Sequence, residues 1–537
     1  MNDPPKLMGL KLELSDSEMV KISIRKESLY CRCLVRLHLL LATGNRNVCT
    51  PNLVAYLPTR TINDLAALSR YHPYSSQPKV ANLYMFLSTG RCTFLDLGDY
   101  DLDLEKERDM LLKIMSEGGF RSLRFLNVCT DFFASTNFIG EMICSSPQLE
   151  EFHSGVFLDL DFFKNCKKLR CLRLFDFFES DKENLSIDLS LLKSLKKLEV
   201  FHVSNMDGSP ELVATVLENC PNLISLGIVD SLDALEIIYR NAVNKYNTFR
   251  TDGFCDFFLR RCLWGMSEET RIKYSDLDWY KNKFPEKVKI AVSLCPLVEE
   301  LVIRVYHKDS FEYLKNLKKL SFLCIDFKNC DSDYLPAFIS LLQKIGSQLK
   351  HLFLDLNSSF PVETIFDYCP NLEALQIGHA NFATAGKPTR AYSNVSVKKL
   401  SVSYPEKENL LFLVGICKRL THLVVDVAPC LDDALMRAIL NLNSLAELEM
   451  AGFRICSLSK DCLRMFLGKA TSLKRLSVRN NFPRRNFLDL FHYLELVDHS
   501  FDTADLISEL KLNVEYVSFK DILTENFFTC KLSCNIF

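Results

Sequence analysis

One short phrase recurs along the chain and limits what it can become: an apolar residue, two variable residues, a leucine, one variable residue and a second apolar residue. It reads S-L-R-F-L-N-V from Ser122, C-K-K-L-R-C-L-R-L from Cys166, C-P-N-L-E-A-L-Q-I from Cys369 and S-L-K-R-L-S-V from Ser472. The central positions fall at Leu126, Leu172, Leu198, Leu226, Leu301, Leu320, Leu352, Leu375, Leu400, Leu423, Leu448 and Leu476, with Phe152 filling one slot. Period-two alternation makes each phrase a short strand, and the residues between phrases, such as 332–345 and 431–442, carry helical periodicity. A unit this small cannot enclose an apolar face of its own, so each copy must stack on its neighbours.

Apart from the interval between Leu226 and Leu301, successive copies stand about 19 to 32 residues apart, the spacing of leucine-rich repeats. The expected fold is therefore an α/β leucine-rich-repeat solenoid over residues 91–481, with a parallel sheet lining a concave face and helices outside. Residues 1–90 lack the phrase and read as a helical module, and 482–537 as a C-terminal cap. The long interval holds both tryptophans, Trp264 and Trp279. It reads either as degenerate repeats with long helices or as an insertion over 231–290 that projects toward a partner.

Composition removes several function classes. Lys+Arg is 65 against 67 Asp+Glu, a formal net charge of −2, which lacks the basic excess of a phosphate-gripping protein, so no nucleic-acid partner is expected. Glycine is scarce, at 18 of 537 residues, which disfavours backbone cradles for phosphates. No G-x-G-x-x-G, Walker-type, H-E-x-x-H or G-x-S-x-G motif occurs, and no cysteine pair has a second pair at zinc-ligand spacing. Neither catalysis, cofactor nor metal is expected. The 21 cysteines read as reduced thiols packed as small hydrophobes in a cytoplasmic or nuclear protein. No apolar run is long enough to cross a membrane.

Cys166, Cys220, Cys295, Cys369 and Cys417 each end a helical stretch just before a strand phrase. This arrangement resembles the cysteine-containing leucine-rich repeats common in receptor subunits of cullin ubiquitin ligases. The N-terminal module adds S-L-Y-C-R-C-L-V-R-L, in which Leu29, Cys33 and Leu37 stand four apart and share one helical stripe. With Ser28 ahead of it, this stripe resembles the box by which substrate receptors bind elongin C. Farther on, L-P-T-R-T-I-N-D-L, with Leu57, Pro58 and Leu65, resembles the box that favours cullin-2, with Thr61 where an aliphatic residue is preferred. The order of boxes and repeats is similar to that of the zygotic-defective receptors.

Two other readings of the same residues stay open: an F-box, which also opens on Leu-Pro and would bind an Skp-type adaptor, and a plain helical cap over the first repeat. The resemblance implies a substrate-recognition subunit that holds an unknown target protein near the ubiquitin-loaded partner, an effective-concentration role. The alternative is a stand-alone interaction scaffold similar to ribonuclease inhibitor.

Residues flanking the central position of each phrase are expected on the exposed sheet surface. These are Lys197, Glu199, Glu300, Lys319, Lys399, His422, Glu447, Glu449 and Arg475, a mixed-sign set suited to a protein partner. The tail K-L-S-C-N-I-F places Cys534 fourth from the end, similar to a prenylation box, though no polybasic run precedes it, so membrane attachment is not expected.

Overall fold

A computed structural model describes most of the chain between residues 54 and 457, together with residues 33, 34, 37, 465 and 475–479. Within 54–457 the description omits 55, 69–80, 98–99, 101–103, 129–135, 156–157, 176–194, 205–209, 228–230, 247–256, 266–276, 328–329, 331–332, 357–359, 379–381, 384–394, 404, 427–429 and 452–453.

Among the described residues fifteen strands form one sheet, every neighbouring pair parallel and in chain order, from Phe94–Asp96 to Arg475–Arg479. Parallel neighbours need a crossover, and among the described residues most crossovers contain a helix. The helices lie side by side in the same order: Pro210–Asn219, Ser231–Tyr246, Leu277–Leu294, Ser310–Leu314 and Leu335–Ile345 each touch the next. This is a leucine-rich-repeat solenoid.

The hydrogen-bonded register defines the central ladder. Leu95 faces Leu126, then Phe152, Leu172, Phe201, Leu226, Cys262, Leu301, Leu323, Leu352, Leu375, Leu400, Leu423, Leu448 and Leu476. From Leu95 to Leu448 each ladder residue is at most 2% exposed, and all sit in one continuous core with the inward faces of the helices. Burying a leucine side chain contributes about 1.5–3 kcal/mol, so stacking rather than any single unit holds the fold.

Two of the expected centres are shifted. Leu198 and Leu320 do not lie on the ladder; Phe201 and Leu323 do. In both places three apolar residues follow one another at intervals of three: Leu195, Leu198 and Phe201, then Leu317, Leu320 and Leu323. The phrase therefore fits twice, three residues apart, and strand pairing selects the later frame. Leu195 and Leu317 take the place that Cys166 holds in its unit.

Among the described residues, the interval between Leu226 and Leu301 contains one more strand, Arg261–Trp264, paired to both neighbours. Cys262 stands 36 residues after Leu226 and 39 before Leu301, so two long units fill the span. Their helices, Ser231–Tyr246 and Leu277–Leu294, are joined by Lys287, which is almost fully buried and ion-paired to Asp233 and to Glu236 at 3.6 Å. Two carboxylates on one helix thus offset the desolvation of a single ammonium on the other.

The repeat cysteines sit where each helix turns into its strand. The amides of Cys220, Cys295, Cys369 and Cys417 donate to carbonyls four residues back, closing the last helical turn. Their side chains are buried, and burial pushes the thiols of Cys369 and Cys417 up to about 12. The corner leaves little space: a Cβ on Gly346 would come within 2.5 Å of the Tyr368 carbonyl and 2.9 Å of Cys369 Sγ.

Candidate partner-binding surfaces

Because side chains alternate along a strand, residues on either side of each ladder position face away from the helices. These two rows make the open face of the sheet, and they change character along the solenoid.

At the N-terminal end the row after the ladder is polar: Asp96, Asn127, His153, Arg173 and His202, all buried. Asn127 donates to Asp96 Oδ1 at 2.8 Å, and His202 Nε2 lies 2.9 Å from Ser225 Oγ. Burial, aided by the charge of Arg173, holds His202 well below the ordinary imidazole range and keeps it neutral. The row before the ladder carries Phe94 and Phe125, stacked with centroids 4.3 Å apart, and Phe125 meets the His153 ring edge-on at 5.1 Å.

In the middle the open face is apolar. Val302, Phe322, Cys324 and Phe353, with Leu263 against them, form a cluster separate from the main core, which places them on the opposite side of the sheet. Arg304 borders it, donating to Asp326 at 2.8 Å. The runs E-L-V-I-R, S-F-L-C-I-D and H-L-F-L-D carry the sequence signal for this patch: apolar residues at both parities, the pattern of a strand buried on two faces.

At the C-terminal end charge returns. Register places Lys399, His422, Glu447 and Arg475 in one row and Glu449 in the other. Lys399 is exposed and His422 half-buried. Glu300, near the middle, is half-buried and paired to Arg261 at 3.0 Å; burial is the largest influence on its carboxyl and raises it above the usual range despite that neighbour.

The remaining surface residues fall elsewhere. Lys197 and Lys319 are exposed in the turns that precede their strands, a consequence of the three-residue frame shift, and are not on the open face. Glu199 lies one residue before its strand, on an edge ledge, paired to Arg170 at 2.8 Å. The same ledge carries Arg124 paired to Glu150 at 2.6 Å and Lys398 to Glu373 at 2.9 Å. Trp264 is fully buried as the inward residue after Cys262, so it fills the core and offers nothing to a partner. Trp279 lies in the helix Leu277–Leu294.

No family model matches the chain, and no curated protein matches its sequence. Among solved structures, 110 chains match. An internalin from Listeria monocytogenes aligns over 68% of this chain and 83% of its own, at 14% identity and TM-score 0.30. A chain of the yeast Rad7 and Elc1 complex aligns over 86% and 96%, at 16% identity and TM-score 0.36. Likenesses of this size carry no argument about function; the fold rests on the strand register above.

The helix that follows Pro58, Thr59–Leu68, lies against the first strand. Ser28 and Leu29 fall outside the described residues, as does Cys534. Cys33 is helical and exposed, whereas Leu34 and Leu37 are half-buried against the core. Pro58 is exposed just before the helix Thr59–Leu68, and its carbonyl accepts from the Ile62 amide at 3.0 Å, the bond that opens the helix. Leu57 is half-buried, and its carbonyl accepts from Arg91 at 2.7 Å. Leu65 is fully buried with Ile62, on the face of the helix turned to the solenoid. Among the described helices none is long and apolar enough to cross a membrane.

Proposed function

We propose that the chain is a protein-interaction solenoid serving as the substrate-recognition subunit of a cullin-RING ubiquitin ligase, docked through its N-terminal helices to an elongin C-type adaptor. The observation that carries this reading is the contrast among cysteines. The repeat cysteines at helix-to-strand corners are buried, whereas Cys33, the small residue at the centre of the elongin-like box, is exposed on a helix. A small exposed residue flanked by leucines suits close approach of a partner helix better than it suits a core. The open face, with an apolar centre between polar and charged ends, supports capture of a protein target. The adaptor would then hold that target near the ubiquitin-loaded partner, raising its effective concentration without chemistry by this chain.

A stand-alone scaffold is the second reading, favoured by the burial of Leu65 and by Leu37 and Leu57 packing against the core, as a plain cap requires. Affinity purification of the full chain from eukaryotic cells separates the possibilities. Elongins B and C support the first reading and an Skp-type adaptor supports its F-box variant. Recovery of neither overturns ligase membership and leaves the scaffold.

A further inference from the structure

The sequence shows no metal-ligand spacing, yet the register of two neighbouring strands brings three different donor atoms together. Glu151 pairs directly with Cys171 across the Glu151–Ser154 and Cys171–Phe175 strands. His153 stands two residues beyond Glu151 and so projects from the same open face. One carboxylate oxygen, one ring nitrogen and the Cys171 sulfur all lie within 4.8 Å of one another. His153 Nε2 is 2.9 Å from Glu151 Oε1. His153 and Cys171 are buried, and Glu151 is half-buried and forms the solvent side.

We propose that Glu151, His153 and Cys171 bind a single zinc-type divalent ion on the open face of the sheet. Four-coordinate zinc with bonds of about 2.0–2.3 Å sets its ligand atoms roughly 3.3–3.6 Å apart, so small rotations about the side-chain torsions complete the site. A thiolate and a carboxylate together balance a 2+ charge. The mixed N, S, O donor set favours zinc over magnesium or calcium, which take oxygen ligands. Three protein ligands leave a fourth position for water. Loading breaks the Cys171 S–H bond and forms a metal–thiolate bond, with the proton passing to solvent. His153 then ligates as neutral imidazole through Nε2, its hydrogen on Nδ1, and exchanges its hydrogen bond to Glu151 for the shared ion.

The site has a built-in opponent. Arg173, two residues after Cys171, is close enough to act electrostatically on both Glu151 and His153. Its positive charge weakens cation binding, so removing it strengthens the site. A merely structural Glu–His–Cys contact predicts no such gain.

The test uses the full-length chain, stripped with a chelator and titrated with Co²⁺ or Zn²⁺ alone. The expected result is one equivalent bound, with a thiolate-to-cobalt charge-transfer band. Cys171→Ser abolishes the band, and His153→Ala and Glu151→Gln weaken binding by at least tenfold, the lower bound seen when even an outer partner is disturbed. Arg173→Gln tightens binding, and Cys144→Ser, at an exposed cysteine on another element, changes nothing. Glu151→Gln, on a half-buried side chain, keeps the test decisive should a buried substitution fail to fold. A wild-type chain that binds no equivalent, or a Cys171→Ser chain that retains the band, overturns the proposal.

Discussion

Asn63 and Thr93 exchange two hydrogen bonds across the start of the solenoid. The Asn63 amide nitrogen donates to Thr93 Oγ1 at 2.7 Å, and the Thr93 backbone N–H donates to Asn63 Oδ1 at 2.9 Å. The Thr93 amide lies just before the first strand, which among the described residues has no preceding strand, and Asn63 supplies its acceptor. The helix Thr59–Leu68 is thereby clipped to the sheet at the same point where Ile62 and Leu65 enter the core. Asn63→Ala leaves the Thr93 donor unsatisfied and is expected to cost about 1–3 kcal/mol, read as a lowered urea midpoint in the full chain. No change in midpoint would mean that the helix is not anchored there.

The frame shift at Phe201 gives a sharper test. Phe201 lies on the central ladder and is buried, whereas Val200 faces the open side and is half-buried. Phe201→Ala should destabilise by about 3–5 kcal/mol. Val200→Ala, on the solvent-facing row, should cost under about 1 kcal/mol. The opposite ranking by chemical denaturation would return the ladder to Leu198.

How much of this was legible in the sequence follows from what a period-two pattern can encode. Strand, parallel stacking and most ladder leucines were readable because leucine alternates with polar residues in those copies. At Leu198 and Leu320 the frame was ambiguous because apolar residues recur every third position, and only hydrogen-bonded pairing decides between frames. The strand at Arg261–Trp264 was hidden because Cys262 takes the leucine position and its neighbour Trp264 reads as an exposed aromatic anchor until its burial is known. The Glu151–His153–Cys171 group was invisible for a different reason: Cys171 lies twenty residues after Glu151 and meets the pair only through strand register.

Stability should depend on pH through His202. Its folded-state pKa is depressed below the ordinary 6.5, chiefly by burial and then by Arg173. Above that value the imidazole is neutral in both states and contributes no slope. As pH falls below about 6.5 the unfolded chain takes up a proton that the folded chain refuses, so folding stability falls. His202→Gln should flatten that part of the pH profile measured between pH 7 and 5. An unchanged slope would show that His202 is not the titrating group.

Thiol reactivity should divide the described cysteines in the native protein. Cys33 and Cys144 are exposed and should alkylate first. Cys166, Cys369 and Cys417, with thiols pushed up to about 12 by burial, should react only on unfolding. Peptide-resolved mass spectrometry after brief treatment with a thiol reagent reads the order. Early modification of Cys417 would contradict its place at a packed corner.

Cys33 also provides the most direct test of the proposed function. Purified full-length chain is mixed with an elongin B–elongin C complex, and binding is measured beside thermal melting for the wild type and for Cys33→Phe. The account predicts that the wild type binds and that Cys33→Phe, by blocking close approach at an exposed position, lowers affinity by at least tenfold, about 1.4 kcal/mol, without shifting the melting temperature. A wild type that does not bind, or a variant that binds as well as the wild type, would contradict the docking claim.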